Sequence, residues 1–188
     1  MKILITYFSQ TNNTARVAAG ICEALISQGQ QVRMENICDI APETLTDYDL
    51  VFVGSACHDA DIAEPVKLFL EEIDHAPFFK MAGFVTHATT MNDGSDRNQE
   101  LYQRWAGKCA KSFDQISRER DIEFLGYFHC QGAPNEGIAD FINRVIFTDE
   151  DEWTQYIEEV RMHPNEEDIQ NVKEFARSVL LKFESVAA

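Results

Sequence analysis

The sequence predicts an α/β protein: five parallel strands wound on both faces by helices, in three layers. Three observations carry that expectation. Compact apolar runs rich in β-formers alternate with segments of helical periodicity. The stretches between successive strands are helix-length, and parallel neighbours need such crossovers because tight hairpins cannot join them. The fixed handedness of crossovers then distributes helices over both faces. At 188 residues the chain suits one domain, with roughly 70% of its unfolded surface buried on folding.

Each element follows in order. Lys2–Phe8 is a strand buried on both faces, and the polar run Ser9–Thr14 follows it. Val17, Ile21 and Leu25 then form one helical stripe, with Ala18 and Cys22 beside it. Gln28-Gly29 ends that helix, since glycine accepts positive φ. Gln31–Ile37 is a second strand and Asp49–Ala56 a strong third. Within Pro65–Ile73, the residues Val66, Phe69, Leu70 and Ile73 have helical spacing. Ala82–Thr89 makes a fourth strand, Asp96–Arg118 one long helix, and Ile122–Cys130 a fifth strand. A last helix starts after His163-Pro164, with Asn165 as N-cap and Asp168 three residues on, and runs to about Phe183.

The segment 133–162 is too long for a simple connection. It carries Asp149-Glu150-Asp151-Glu152 yet also Ile138, Phe141, Ile142, Val145 and Phe147. A packed, acidic helical excursion on the same domain is expected.

Charge and cysteines narrow the functional classes. Sixteen basic against thirty-two acidic residues leave a net charge of −16. Such a surface repels nucleic acid and anionic lipid and favours basic partners. No apolar run reaches the roughly 18–20 residues of a membrane span. Ile3–Phe8 is too short for a signal-peptide core. Five scattered cysteines without a CxxC pair point to reduced thiols and a cytoplasmic protein.

The most informative segment is Ser9, Gln10, Thr11, Asn12, Asn13 and Thr14. Its hydroxyls and amides stand between a strand end and a helix N-terminus, whose unpaired N–H groups suit a phosphate. No Gly-Lys-Ser/Thr ending is present, and no glycine lies between Met1 and Gly20, so neither a Walker loop nor a dinucleotide fingerprint fits. A mononucleotide phosphate held by neutral donors does.

At this point the chain resembles the flavodoxin family. The family's phosphate motif is matched by Ser9, Thr11, Asn12 and Thr14, with Asn12 where glycine is frequent. Similar stretches follow at Val51–Ser55, Glu64–Val66, Gly126–Gly132 and His163–Asn165. The resemblance implies a flavodoxin-like sheet of order 2-1-3-4-5, with FMN at the switch between the first and third strands. It implies an electron carrier between redox proteins, monomeric or dimeric, with basic partners drawn to the acidic surface. Two alternatives share the fold: an NAD(P)H-dependent quinone or small-molecule reductase, with 133–162 as lid or interface, and a non-redox binding module without flavin.

The resemblance also assigns the ring loops. Ser55, Ala56, Cys57 and His58 would line the isoalloxazine on one side, and Thr89, Thr90, Met91 and Asn92 on the other. Neither loop holds the Trp or Tyr with which many relatives stack the ring, so a weaker grip is expected. No glycine lies between Gly54 and Gly83 to allow a peptide flip, so a less stable semiquinone is expected. Asp59, Asp61, Glu64 and Asp93 would put negative charge around the flavin and lower its potential.

The remaining candidates have plainer readings. Cys57-His58, His87 and His129-Cys130 fall near adjacent strand ends, but alternation along strands and the lack of tight ligand spacing speak against a metal. His87 is expected to be a hydrogen-bonded core histidine and Cys57 an inert thiol. Trp105 and Trp153 read as packing residues, and Tyr102 is within reach of a flavin edge.

Overall fold

A computed structural model describes residues 1–91 and 94–186. Its central strand β1 (Lys2–Tyr7) buries Ile3, Leu4 and Ile5 completely or nearly so, because helices cover both faces. The chain continues through α1 (Asn13–Ser27), β2 (Gln31–Asn36), two short 3-10 turns and β3 (Leu50–His58). Then come β4 (Asp61–Ile62), α2 (Glu64–Glu71), β5 (Lys80–His87), α3 (Asp96–Trp105), α4 (Gly107–Glu119) and β6 (Phe124–Gln131). Helices α5 (Glu136–Val145), α6 (Glu150–Val160) and α7 (Glu166–Val186) complete it.

The sheet runs β2-β1-β3-β5-β6 with every neighbour parallel, which is the expected 2-1-3-4-5 order. The sixth strand, β4, was not expected. It is two residues long and pairs antiparallel with the end of β3, Cys57 opposite Ile62 and His58 opposite Asp61. Two residues carry no periodicity, so the sequence shows only a loop there.

Alternation along the strands divides the core. Leu4, Val51 and Val53 pack with Val66, Phe69, Leu70 and Phe113 under α2 and α4. Ile3, Ile5 and Phe52 pack with Val17, Ile21, Val172 and Val179 under α1 and α7. Gly54 is needed where β3 passes Phe84, because a Cβ there would lie 2.2 Å from the ring.

Asp96–Arg118 is two helices and not one. The chain breaks at buried Ala106, whose φ of −145° lies outside the helical region. No proline marks the break, so continuous periodicity hides it. Its effect is to lay α4 on the sheet through Cys109, Phe113 and Ile116, while α3, with no fully buried residue, turns over the ends of the strands. The excursion is helical as expected and has a small core of its own, including Ala139, Ile142, Phe147, Tyr156 and Val160. The start of α7 is a reciprocal cap: the Asp168 amide donates to Asn165 Oδ1 at 3.0 Å and the Asn165 amide to Asp168 Oδ2 at 2.8 Å. Among the described residues, no helix is long and apolar enough to cross a membrane.

Candidate functional site

The C-terminal ends of β1, β3, β5 and β6 surround a polar cleft of about 320 Å³. One wall is the loop from β1 into α1. Asn12 there has φ 64°, the left-handed region that asparagine tolerates better than most residues. That is why asparagine can replace glycine at this point. Asn12 makes no side-chain cap, and the first turn of α1 holds no acidic residue. The positive end of the helix therefore meets no carboxylate of its own first turn.

The six loop residues divide their roles. Gln10, Thr11 and Asn13 line the cleft. Asn13 Nδ2 donates to Ala133 O at 2.8 Å and to Thr11 Oγ1 at 3.0 Å, tying the loop to the end of β6. Gly132 lies against that clip, where a Cβ would come within 2.9 Å of Asn13 Nδ2. Ser9 Oγ accepts a long bond from the Ala15 amide at 3.4 Å. Thr14 is buried, with its hydroxyl 2.9 Å from that of Thr86, so it fastens α1 to β5 instead of facing the cleft.

Across the cleft, β3 and β4 form a tight hairpin. Its two turn residues, Asp59 and Ala60, have φ of 49° and 65°, as a two-residue turn matched to strand twist requires. Ser55 braces its base, donating to Ala56 O and accepting from the Ala63 amide at 2.8 Å, so this buried hydroxyl does not line the cleft. Asp61 Oδ1 accepts from the Ile62 amide and from Ser112 Oγ. Ala56, Cys57 and His58 do line the cleft, and His58 stands edge-on to Phe8 at 5.9 Å. The Cys57 thiol donates to Trp105 O at 3.3 Å.

Cys57, Asp59, Ala88 and Ile138 line both the cleft and an adjacent apolar chamber of about 310 Å³. Trp105, Phe141, Ile142, Phe147 and Tyr156 wall it, with Thr89 beside them. Trp105 and Phe141 meet edge to face at 5.6 Å. The Tyr156 hydroxyl donates to Ala88 O, pinning α6 over the β5 loop. Sequence reasoning missed these walls. The stripe Ile138, Phe141, Ile142 and Val145 showed an amphipathic helix, but nothing local says what it covers. Trp153 packs in the excursion core, whereas Trp105 borders the chamber instead of serving only as packing. Thr90 and Met91 face a separate polar pocket with Arg97, Gln131 and Glu152, away from the cleft. Asn92 and Asp93 lie outside the described residues.

His87 closes the cleft floor. It is 3% exposed, and its Nε2 lies 3.0 Å from His129 Nδ1. His129 stacks on Tyr102 at 4.7 Å and on Tyr127 at 5.7 Å. Tyr102 thus backs the histidines and lines neither chamber. Burial lowers the His87 pKa to about 3, and the nearby His129 and His163 rings push the same way. The Thr89 backbone pulls slightly against them. Burial also lowers His129 and raises Tyr102 and Tyr127. Among the described residues, no group of three or more His, Cys, Asp or Glu could hold a metal.

A family model for the flavodoxin domain matches residues 4–177. The chain belongs to the flavodoxin domain family. Curated relatives of this flavodoxin-domain chain include the flavodoxin-like domain-containing protein BilS of Clostridioides difficile, 26% identical over 97% of this chain and 98% of that one. An uncharacterised protein of Methanocaldococcus jannaschii is also 26% identical, over 96% of this chain and 99% of its own. Among solved structures, oxidised flavodoxin 2 of Bacillus cereus superposes with a TM-score of 0.64 at 21% identity, covering 97% of this chain and 99% of that one. That likeness concerns the fold. Flavodoxins in general bind FMN.

Proposed function

We propose that this protein binds FMN non-covalently and carries electrons between redox proteins. One observation supports the reading above others: a cleft at a helix N-terminus lies beside an aromatic chamber, with four residues lining both. FMN has that division, a charged polar tail and a flat aromatic head. The residues present fit it. The first turn of α1 brings no anion of its own, and the absence of a side chain at Gly132 leaves the Asn13 clip intact. Gln10 and Thr11 would donate to the phosphate, beside the α1 amides. Ala56, Cys57 and His58 would flank the ring from one loop and Ala88 and Thr89 from the other.

Bound there, FMN supplies the electron-accepting ring; the chain binds it, orients it and excludes water. Trp105 and Phe141 supply aromatic surface that the loops lack, so the ring grip need not be weak. Asp59, exposed at the junction of the chambers, adds negative charge against a reduced anionic ring. The net charge of −16 would steer basic redox partners toward the protein. Five free thiols suit a reducing, cytoplasmic setting.

A second reading, a reductase of apolar small molecules, draws on one feature. Helix α5 leaves Ile138 and Phe141 47% and 38% exposed at the chamber, so a molecule beside the ring would meet apolar surface. Flavin-fluorescence titration tests the main proposal: saturable quenching by FMN, with riboflavin binding more weakly, is the expected result. Absence of quenching would sink it and favour a module without flavin. NAD(P)H oxidation in the presence of a quinone would move the assignment to the reductase.

A further inference from the structure

Thr90 and Met91 line a polar pocket that the flavin reading leaves unexplained. Its volume, about 360 Å³, falls in the roughly 300–1,000 Å³ range of small-molecule sites. One wall is a face of α6, where Glu152, Gln155 and Glu159 recur at spacings of three and four residues. Arg97 of α3 stands on the other side, and these four side chains form an exposed rim. The base is buried and consists of Phe147, Tyr156 and Gln131, the last residue of β6.

Gln131 is the informative one. It is 5% exposed, yet its side-chain amide makes no hydrogen bond among the described residues. The polar side-chain atoms sealed from solvent without a partner belong instead to Thr6, His87 and Tyr127. The Gln131 amide is not sealed, so the little surface it keeps opens on this pocket. Strand alternation agrees, because Tyr127, His129 and Gln131 share one face of β6. His129 on that face stacks on Tyr102 of α3, the helix that carries Arg97. A buried amide that meets only a pocket lacks the partner its desolvation calls for.

Charge selects the partner. Arg97 spends both terminal guanidinium nitrogens on Glu152, at 2.7 Å each. Those two charges cancel, and Glu159, with no ion pair among the described residues, leaves the pocket negative. The free acceptors are then the Glu159 carboxylate and the carbonyl oxygens of Gln131 and Gln155. A molecule that satisfies them brings positive charge and several N–H donors, as ammonium and guanidinium groups do.

We propose that this pocket binds a small organic cation, whose ammonium or guanidinium head donates to Gln131 Oε1 and to Glu159. The cation lies behind the aromatic wall of the apolar chamber, since Phe147 and Tyr156 line both spaces. Neither site requires the other to be filled.

Butylguanidinium and its neutral isostere butylurea test the assignment, with the full chain and no FMN. In proton–nitrogen spectra the Gln131 side-chain amide, identified by its loss in Gln131→Met, should shift saturably with butylguanidinium. Butylurea should bind weaker by about tenfold, because it forfeits the charge-assisted bonds. Followed at the Gln155 amide, Gln131→Met should weaken butylguanidinium by about tenfold and Glu159→Gln by about fivefold. Equal binding of the two probes, or full affinity in Gln131→Met, overturns the assignment. So does a shift that spreads over the acidic surface and survives Glu159→Gln, which is counter-ion screening only. Should Gln131→Met fail to fold, the two probes and the exposed Glu159→Gln decide.

Discussion

At its polar end the cleft takes Gln10, Thr11 and Asn13 from one short run of sequence, with Gly132 closing in just after β6. At its apolar end the walls are Trp105, Phe141, Phe147 and Tyr156, which come from α3 and from an excursion inserted before the last helix. The first end depends on backbone geometry and short polar bonds, the second on side-chain volume gathered across long chain distances. Neutral hydrogen bonds lose strength quickly with misplacement, while apolar contact tolerates some slack. The two ends should therefore fail differently, and a phosphate-bearing ligand compared with its phosphate-free form tells them apart.

The largest effect is expected at Gly132. In Gly132→Ala the new Cβ would meet the Asn13 side chain at 2.9–3.0 Å, too close to leave its bonds to Thr11 and Ala133 O intact. Losing two such bonds and the loop position they hold should weaken FMN by about thirtyfold. Riboflavin, which brings no phosphate, should change less than threefold. A matched loss for both ligands would show that the two ends are not separable.

Acid stability is the next effect in size, and it concerns the floor of the cleft. The folded pKa of His87 is about 3 against an ordinary 6.5. As pH falls below 6.5 the unfolded chain takes up this proton first, so the contribution is full above 6.5 and is lost toward pH 3. Between pH 6.5 and 5, before most carboxylates titrate, His87 should remove roughly 1.5 kcal/mol of stability. Urea melts of wild type and His87→Asn should differ in slope by that amount. Parallel slopes would mean that the ring is not buried in solution.

Trp105→Ala should then weaken FMN and riboflavin alike, by about tenfold, because its contact at the chamber is aromatic and indifferent to phosphate. If the loss falls on FMN alone, the ring does not lie in this chamber.

This contrast also separates what could be read in the sequence from what could not. The alternation of strands and helices, the polar run between β1 and α1 and the cap at Asn165 and Asp168 are local patterns, and the structure has each of them, while the strand order followed from the family resemblance. Thr14 belongs to the same motif, yet its hydroxyl turns to Thr86, a partner 72 residues away that no spacing announces. Ser55 likewise spends its hydroxyl on the hairpin base. Trp105 read as a packing residue within one long helix because the break at Ala106, which ends α3 there, leaves no proline or polar interruption. The aromatic wall needed tertiary knowledge: an amphipathic stripe reveals that a helix will cover something, never what.

The smallest prediction concerns a feature that the ends share, a left-handed residue fixing each loop. Asn12 does this in the loop from β1 into α1 at little cost, but Ala60 does it at φ 65° with a Cβ that favours other conformations. Ala60→Gly removes that strain, offset in part by the greater freedom of glycine in the unfolded chain. A net gain below about 1 kcal/mol is expected, raising Tm by about 2 °C. The same change frees the peptide between Asp59 and Ala60 to turn, which the paired strands on either side otherwise restrain. Photoreduction of the FMN-loaded variant should therefore yield more flavin radical than wild type, with riboflavin and FMN affinities both held within threefold. A lower Tm would show that the Ala60 methyl makes a contact worth more than its strain, and the hairpin, not the loop from β1 into α1, would then be the more rigid end.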